Sequence, residues 1–208
     1  KDPDASLPEY EISEFTREID LTNGRWRQEQ LRTSNFFTGN PLFNQRQIIA
    51  VDGDVAFDIS EDGTARRASI QVARDRKAEL YHYPVGLIQA ATAEGATVRN
   101  LRQEDGQDVV DITTAEGDLF TLFVDSETHF PSKIVSTSYH SNLGDVDLKT
   151  VFDAYAESGG LGGFQARLTL PRRIRWSIDR FQIAEIIASN TSINGEIGDL
   201  AAPQEVGS

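Results

Sequence analysis

Short strand-like runs closed by turn dipeptides, with few long periodic segments between them, set the limits on what this chain can fold into. Asn23-Gly24, Asp52-Gly53, Asp62-Gly63, Asp105-Gly106, Leu143-Gly144 and Asn194-Gly195 punctuate the sequence. That spacing belongs to a meandering antiparallel sheet and leaves no room for the crossover helices of βαβ units. Between the turns the alternation is clear. Ile174, Trp176 and Ile178 interleave with Arg173, Arg175, Ser177 and Asp179, which gives one apolar and one charged face. Leu148, Thr150, Phe152 and Ala154 repeat the pattern, as do Val55, Phe57 and Ile59. Leu119 to Val124 is apolar on both faces, so a centrally placed strand covered on each side is expected. Asn23-Gly24 predicts a hairpin with a type I′ turn, which needs positive φ at both central residues. About ten to eleven strands follow from this reading.

One stretch breaks the β pattern. From about Ala68 to Glu94, Ala, Arg, Lys, Glu, Leu and Gln dominate and β-branched residues thin out. Proline suits the first turn of a helix and not its interior, so Pro84 divides the stretch into two helices meeting near Tyr83-Pro84. Leu80, Leu87, Ile88 and Ala91 are the expected sheet-facing positions. Phe36 to Phe43, reading FFTGNPLF, is an aromatic loop, and Glu157 to Phe164 a Gly-rich one. Residues 1–8 and 203–208 are polar and Pro-bearing, and are expected as a disordered tail and a linker-like tail. Residues 9–202 are expected as a single β domain with a helical insert at about 68–94; 208 residues are ample for its core.

Composition narrows the function classes. With no cysteine, the chain forms no disulfide and has neither a thiol nucleophile nor a Cys-ligated metal site. Asp plus Glu 33 against Lys plus Arg 20 gives a net charge of −13, which repels phosphate backbones and anionic membrane surfaces. Nucleic acid is therefore not an expected partner. No apolar run is long enough for a membrane-spanning helix, and no basic-then-apolar leader opens the chain. Lys1 stands where an initiator would, so a trimmed chain is expected.

The residues that could carry chemistry are scattered. His82, His129 and His140 lie in separate elements without the HxH, HExxH or HxxxH spacings that place two imidazoles on one metal, so structural or surface roles are expected. No G-x-S-x-G elbow exposes a serine. Asp52, Asp54, Asp58, Glu61 and Asp62 lack the EF-hand spacing and read as a solvated strand face rather than a calcium site. Arg172, Arg173 and Arg175 read as charges on an edge or exposed strand that discourage sheet pairing. The glycines at 159, 160, 162 and 163 carry no Lys-Ser/Thr pair, so they form a flexible loop and not a phosphate cradle. No catalytic and no metal-ligating residue is assigned. The remaining inventory is apolar: Phe36, Phe37, Phe43, Tyr81, Tyr83, Leu87, Ile88, Phe152 and Trp176, with Phe181. These residues either fill the core or line an apolar cavity between a curved sheet and its helices.

Four segments carry a family resemblance: VDGDVAFDIS at Val51 to Ser60, RKAELYHYPVGLIQAA at Arg76 to Ala91, the run from Val109 to Tyr155, and NGEIGDLAAP at Asn194 to Pro203. Together they resemble the N-terminal, non-catalytic region of exported bacterial metallo-β-lactamase-fold hydrolases. More distantly the chain resembles the lipoprotein-carrier (LolA/LolB-like) fold. The resemblance implies a mainly β protein with two short helices, a curved antiparallel sheet or unclosed β-barrel, the helices on its concave side. It also implies a periplasmic or secreted location. In the look-alike proteins the GDLAAP segment precedes a hydrolase domain with an HxHxDH zinc motif; those ligands map onto no residue here, so zinc is expected only in a catalytic partner domain or chain.

Three readings follow. The first is a non-catalytic accessory domain or subunit of a metallo-β-lactamase-like hydrolase, packing on the catalytic part and shaping it. The second is a periplasmic carrier or binding module for a lipid or other apolar ligand. A stand-alone enzyme with an unrecognised carboxylate site ranks last.

Overall fold

The structure, a computed structural model, describes residues 11–33, 44–140, 143–158 and 168–207. Among these it is mainly β, with twelve strands in two antiparallel sheets, three short helices and no closed barrel. The strands thus divide between two sheets where one curved sheet was expected. The chain forms two compact units, Lys1–Leu80 with Ile197–Ser208, and Tyr81–Glu196. The aromatic loop, the Gly-rich run at 159–163 and the N-terminal tail lie outside the described residues.

In the first unit, strands β1 (Glu11–Asp20), β2 (Arg25–Thr33), β3 (Asn44–Asp52), β4 (Val55–Ile59) and β5 (Ala65–Arg67) form a meander in chain order. The first hairpin departs from expectation. Asp20 pairs with Arg25, so four residues make the loop, and of Asn23 and Gly24 only Gly24 takes positive φ. The Asp20 carboxylate replaces the type I′ geometry by accepting the Thr22 and Asn23 amides and the Asn23 side chain at 2.6–3.2 Å.

Cross-strand register then sorts the side chains. Trp26, Val51 and Ala56 stand in line on one face, and Arg27, Ala50 and Phe57 on the other. Helix α1 (Ile70–Ala78), capped by the Ser69 hydroxyl, covers the first face. The Trp26 indole donates to the Arg76 carbonyl at 2.7 Å. The Arg76 guanidinium returns to the carbonyls of Ala50 and Phe57 and to the Asp58 carboxylate. Trp26, Val51 and Ala56 are thereby removed from water.

Residues 197–207 cover the second face. Val206, in the single-turn helix α3 (Gln204–Gly207), packs with Ala50 and Phe57, while Ala202 donates its amide to Asp52 at 2.9 Å. Residues 203–207 are therefore not the linker-like tail expected from their polarity. Two apolar side chains, Leu200 and Val206, are buried there, and polar neighbours conceal that pair from a periodicity search.

The second unit opens with a 3₁₀ turn ending at His82 and continues in α2 (Pro84–Ala91). Tyr83 is extended and Pro84 takes the first helical position, as the sequence required. Strands β6 (Thr97–Glu104), β7 (Gln107–Thr113), β8 (Leu119–Asp125), β9 (Pro131–His140), β10 (Gly144–Ser158), β11 (Leu168–Ile178) and β12 (Phe181–Ile187) follow as a second meander. Asp105-Gly106 forms the tight hairpin, with both residues at positive φ between the paired Glu104 and Gln107. Ile112, Phe120, Leu122, Ile134, Thr150, Phe152 and Ile174 share the buried face. Leu80 and Leu87 are buried as expected, but Ile88 is half-exposed, since it lies about 100° round the helix from Leu87.

Each unit holds one of the two tryptophans, so a Trp176→Phe background reports the first unit through Trp26 alone. In that background Val206→Ala should lower urea stability by roughly 2 kcal/mol. Glu205→Ala, on the exposed side of the same turn, should stay within about 0.5 kcal/mol. Equal, negligible effects would return residues 203–207 to a loose tail.

Candidate functional site

His82 is the one buried ionisable side chain among the described residues of the second unit. Its Nδ1 lies 2.9 Å from the Thr150 hydroxyl of β10 and its Nε2 lies 2.8 Å from the Ser136 hydroxyl of β9. Phe120 of β8 meets the imidazole edge to face with ring centres 5.6 Å apart, and meets Tyr81 in the same way at 5.5 Å. The strands place these groups together because Ser136 pairs across to Phe120 and Thr150 pairs across to Ile134, all on the buried face. A neutral imidazole donates from one nitrogen and accepts at the other, and a hydroxyl can answer either need. Both tautomers are therefore satisfied.

A serine hydroxyl hydrogen-bonded to a histidine has the outline of a nucleophile and its base. The surroundings remove that chemistry. The far nitrogen faces a threonine hydroxyl and not a carboxylate that would stabilise imidazolium. Burial lowers the His82 pKa to about 4, which leaves it neutral and a weak base at pH 7. His82 and Thr150 are buried and Ser136 is half-buried. The arrangement is a clamp between the turn and two strands. His129 takes a left-handed turn conformation on the surface, and the side chain of His140 lies outside the described residues.

The first unit holds a second buried polar chain. Gln30, wholly enclosed, donates to Gln47 at 2.6 Å and accepts from Gln28. Gln28 accepts from Arg17, whose guanidinium lies 4.0 Å from the Trp26 ring centre and pairs with Glu79 at 2.7 Å. These groups hydrogen-bond to one another along the β2 face.

The acidic residues do not converge. Asp52 pairs with Arg25 at 2.6 Å, Asp54 with Lys77 at 3.0 Å and Asp58 with Arg76 at 2.5 Å, while Glu61 accepts the Arg46 amide. Asp62 accepts the Thr64 amide and the Ser60 hydroxyl, which hold its carboxyl below the usual range. Of the two placements expected for the arginines of β11, an edge or an exposed strand, Arg172 and Arg173 are exposed but not at an edge. β11 lies between β10 and β12 and is not an edge, and Arg173 and Arg175 pair across to Asp153 and Glu185.

Of the apolar residues singled out, Phe36, Phe37 and Phe43 lie outside the described residues. Leu87 and Phe152 are fully buried, Tyr81, Tyr83 and Trp176 half-buried, and Ile88 and Phe181 half-exposed. Trp176 stands opposite Thr150, and Phe152 opposite Ile174, so both belong to the face that receives Tyr81 and His82. Sequence reading missed the hydroxyl pair. Its signal was a Thr between Leu148 and Phe152 and a Ser two residues from Ile134, each a polar interruption of an apolar face. A cleft of about 410 Å³ opens on the other unit, lined by Phe57, Ile59, Leu200, Pro203 and Arg27 among others.

Neither protein-family models, nor curated proteins, nor solved structures give a match to this chain.

The His82 clamp sets a pH dependence whose sign follows from linkage. The folded pKa lies below the unfolded 6.5, so the unfolded chain binds the proton first. The stability of the clamp is complete above pH 6.5 and is lost as pH falls to about 4, by about 3 kcal/mol at most. With Trp26→Phe leaving Trp176 as the probe, parent and His82→Gln should converge as pH falls through this window. Parallel curves would show that His82 is not held neutral.

Proposed function

We propose that this chain is a non-catalytic accessory module of a metallo-β-lactamase-like hydrolase, exported from the cell, which packs on the catalytic part and shapes its substrate entrance. One observation carries the reading: the Ser136–His82 pair, which has the form of catalytic machinery, pairs a half-buried hydroxyl with a buried, neutral imidazole held by Thr150 instead of a carboxylate. The carboxylates named above are likewise committed to arginine, lysine, hydroxyl or amide partners. A module so constituted contributes surface and rigidity to a reaction carried out elsewhere. Zinc belongs to the catalytic partner, whether that lies in the same polypeptide or in another.

The resembling segments support this reading by their placement. They fall on β4, on α1 through α2, on β7 to β10 and on the return that covers the five-stranded sheet. A lipoprotein-carrier-like arrangement, with helices against one face of a curved sheet, belongs to the same proposal. The second reading, a carrier for an apolar ligand, would use the cleft of about 410 Å³, whose walls include Phe57, Ile59 and Leu200 together with Arg27, Asp199 and Gln204.

Native mass spectrometry of the protein isolated from its own cells, with zinc measured in parallel, separates the two. A zinc-bearing assembly larger than the 23.0 kDa chain is the expected result. A lone chain with a lipid-sized adduct would establish the carrier, and a lone bare chain would overturn both.

A further inference from the structure

We infer that Asn194 is a site of spontaneous covalent modification, converting through a cyclic imide with Gly195 to aspartate and isoaspartate, while the fold protects the same dipeptide at Asn23-Gly24. The chain holds two Asn-Gly steps, and every other asparagine is followed by a larger residue. Asparagine is among the chemically labile side chains, and the lability is greatest before glycine, where no Cβ crowds the attacking amide. Two identical steps in one chain thus face two different local structures.

The reaction needs no reagent but water. The Gly195 nitrogen attacks Cγ of Asn194 and gives up its proton, and the side-chain nitrogen departs as ammonia. The resulting succinimide takes up one water at either carbonyl. Opening at the side-chain carbonyl leaves an aspartate. Opening at the main-chain carbonyl leaves an isoaspartate, whose backbone runs through the former side chain and is longer by a methylene. Either product replaces a neutral amide by a carboxylate and carries the chain one unit beyond its −13. The return segment that covers the five-stranded sheet starts at Ile197, so the change enters the connection leading into it.

Exposure does not separate the two steps, since both asparagines are exposed and both glycines half-buried. Hydrogen bonding does. In the β1–β2 loop the Asp20 carboxylate accepts the Asn23 side-chain amide at 2.6 Å and the Asn23 backbone amide at 3.2 Å. That side chain is turned back toward Asp20, away from the amide that would attack it. On the other side the Gly24 carbonyl accepts the Gly53 amide at 3.2 Å, which ties the turn to the next hairpin. Asn23 must therefore break a charge-assisted bond before it can react. Asn194 stands beyond β12 in a stretch that is neither strand nor helix, with φ 52°. Neither its side chain nor the Gly195 amide makes a hydrogen bond among the described residues. The nucleophile and its target are both left to meet.

Peptide mapping by mass spectrometry of the full chain, aged at physiological temperature in mildly alkaline buffer, tests this. Asn194 should gain the mass of an amide-to-acid change, in two products separable by chromatography, at least about tenfold faster than Asn23. In urea, where Asp20 no longer holds Asn23, the two sites should react at comparable rates. Asp20→Ala should bring Asn23 up toward Asn194 in the folded chain. Gly195→Ala places a methyl 3.1 Å from the Ser192 hydroxyl, which can rotate aside, and should slow Asn194 at least about tenfold. Circular dichroism confirms that each variant is folded. An Asn194 that stays intact, an Asn23 that keeps pace with it in the folded parent, or an Asn23 still inert after Asp20→Ala would overturn the inference.

Discussion

The tie between Trp26 and Arg76 is the constraint on which the first unit depends. One residue of α1 receives the indole proton at its carbonyl and, through its guanidinium, caps carbonyls on two adjacent strands. Such a largely buried guanidinium is stable because the Ala50 and Phe57 carbonyls and the Asp58 carboxylate accept from it. The helix is thereby fixed in azimuth as well as in distance. That fixes which sheet face it covers and leaves the opposite face, with Ala50 and Phe57, to the return of residues 197–207. An antiparallel sheet with apolar residues on both faces needs both covers, since one apolar face left open would defeat the burial achieved on the other.

The second unit solves its own version of the problem with hydroxyls. Ser136 and Thr150 interrupt an apolar face, and left alone each would pay the desolvation cost of an unmet polar group. The imidazole of His82 answers both at once without carrying charge. This is why the most chemically suggestive pair in the chain argues for structure over catalysis.

How much of this was legible in the sequence depends on the range of the interaction. Alternation along one strand, as in Arg173 to Asp179 and Leu148 to Tyr155, is a local property and the strands are there. The break at Pro84 is equally local, because a fixed φ and a missing amide act on adjacent residues. The Asn23-Gly24 turn misled because Asp20, three residues back, offered the loop a better set of acceptors than a two-residue turn could. The division into two sheets, the clamp and the buried return each rest on partners far apart in the chain, for which a single sequence carries no pattern. Of the expected apolar site, Phe36, Phe37 and Phe43 fall outside the described residues, and Leu87 and Phe152 are packed in the core.

The return segment also sets an order of events. Asp52 and Ala202 are joined by a hydrogen bond across 150 residues, and the whole of Tyr81–Glu196 is synthesised between them. The five strands of this sheet thus leave the ribosome before their second cover, because the residue that closes their core, Val206, emerges after the second unit. Folding strictly from the N-terminus onward, the usual habit of multi-unit chains, leaves one face of this sheet uncovered until residues 197–207 arrive. The inserted unit can assemble first, while the five-stranded sheet waits half-dressed, with Phe57 exposed to any chaperone or neighbouring strand that finds it.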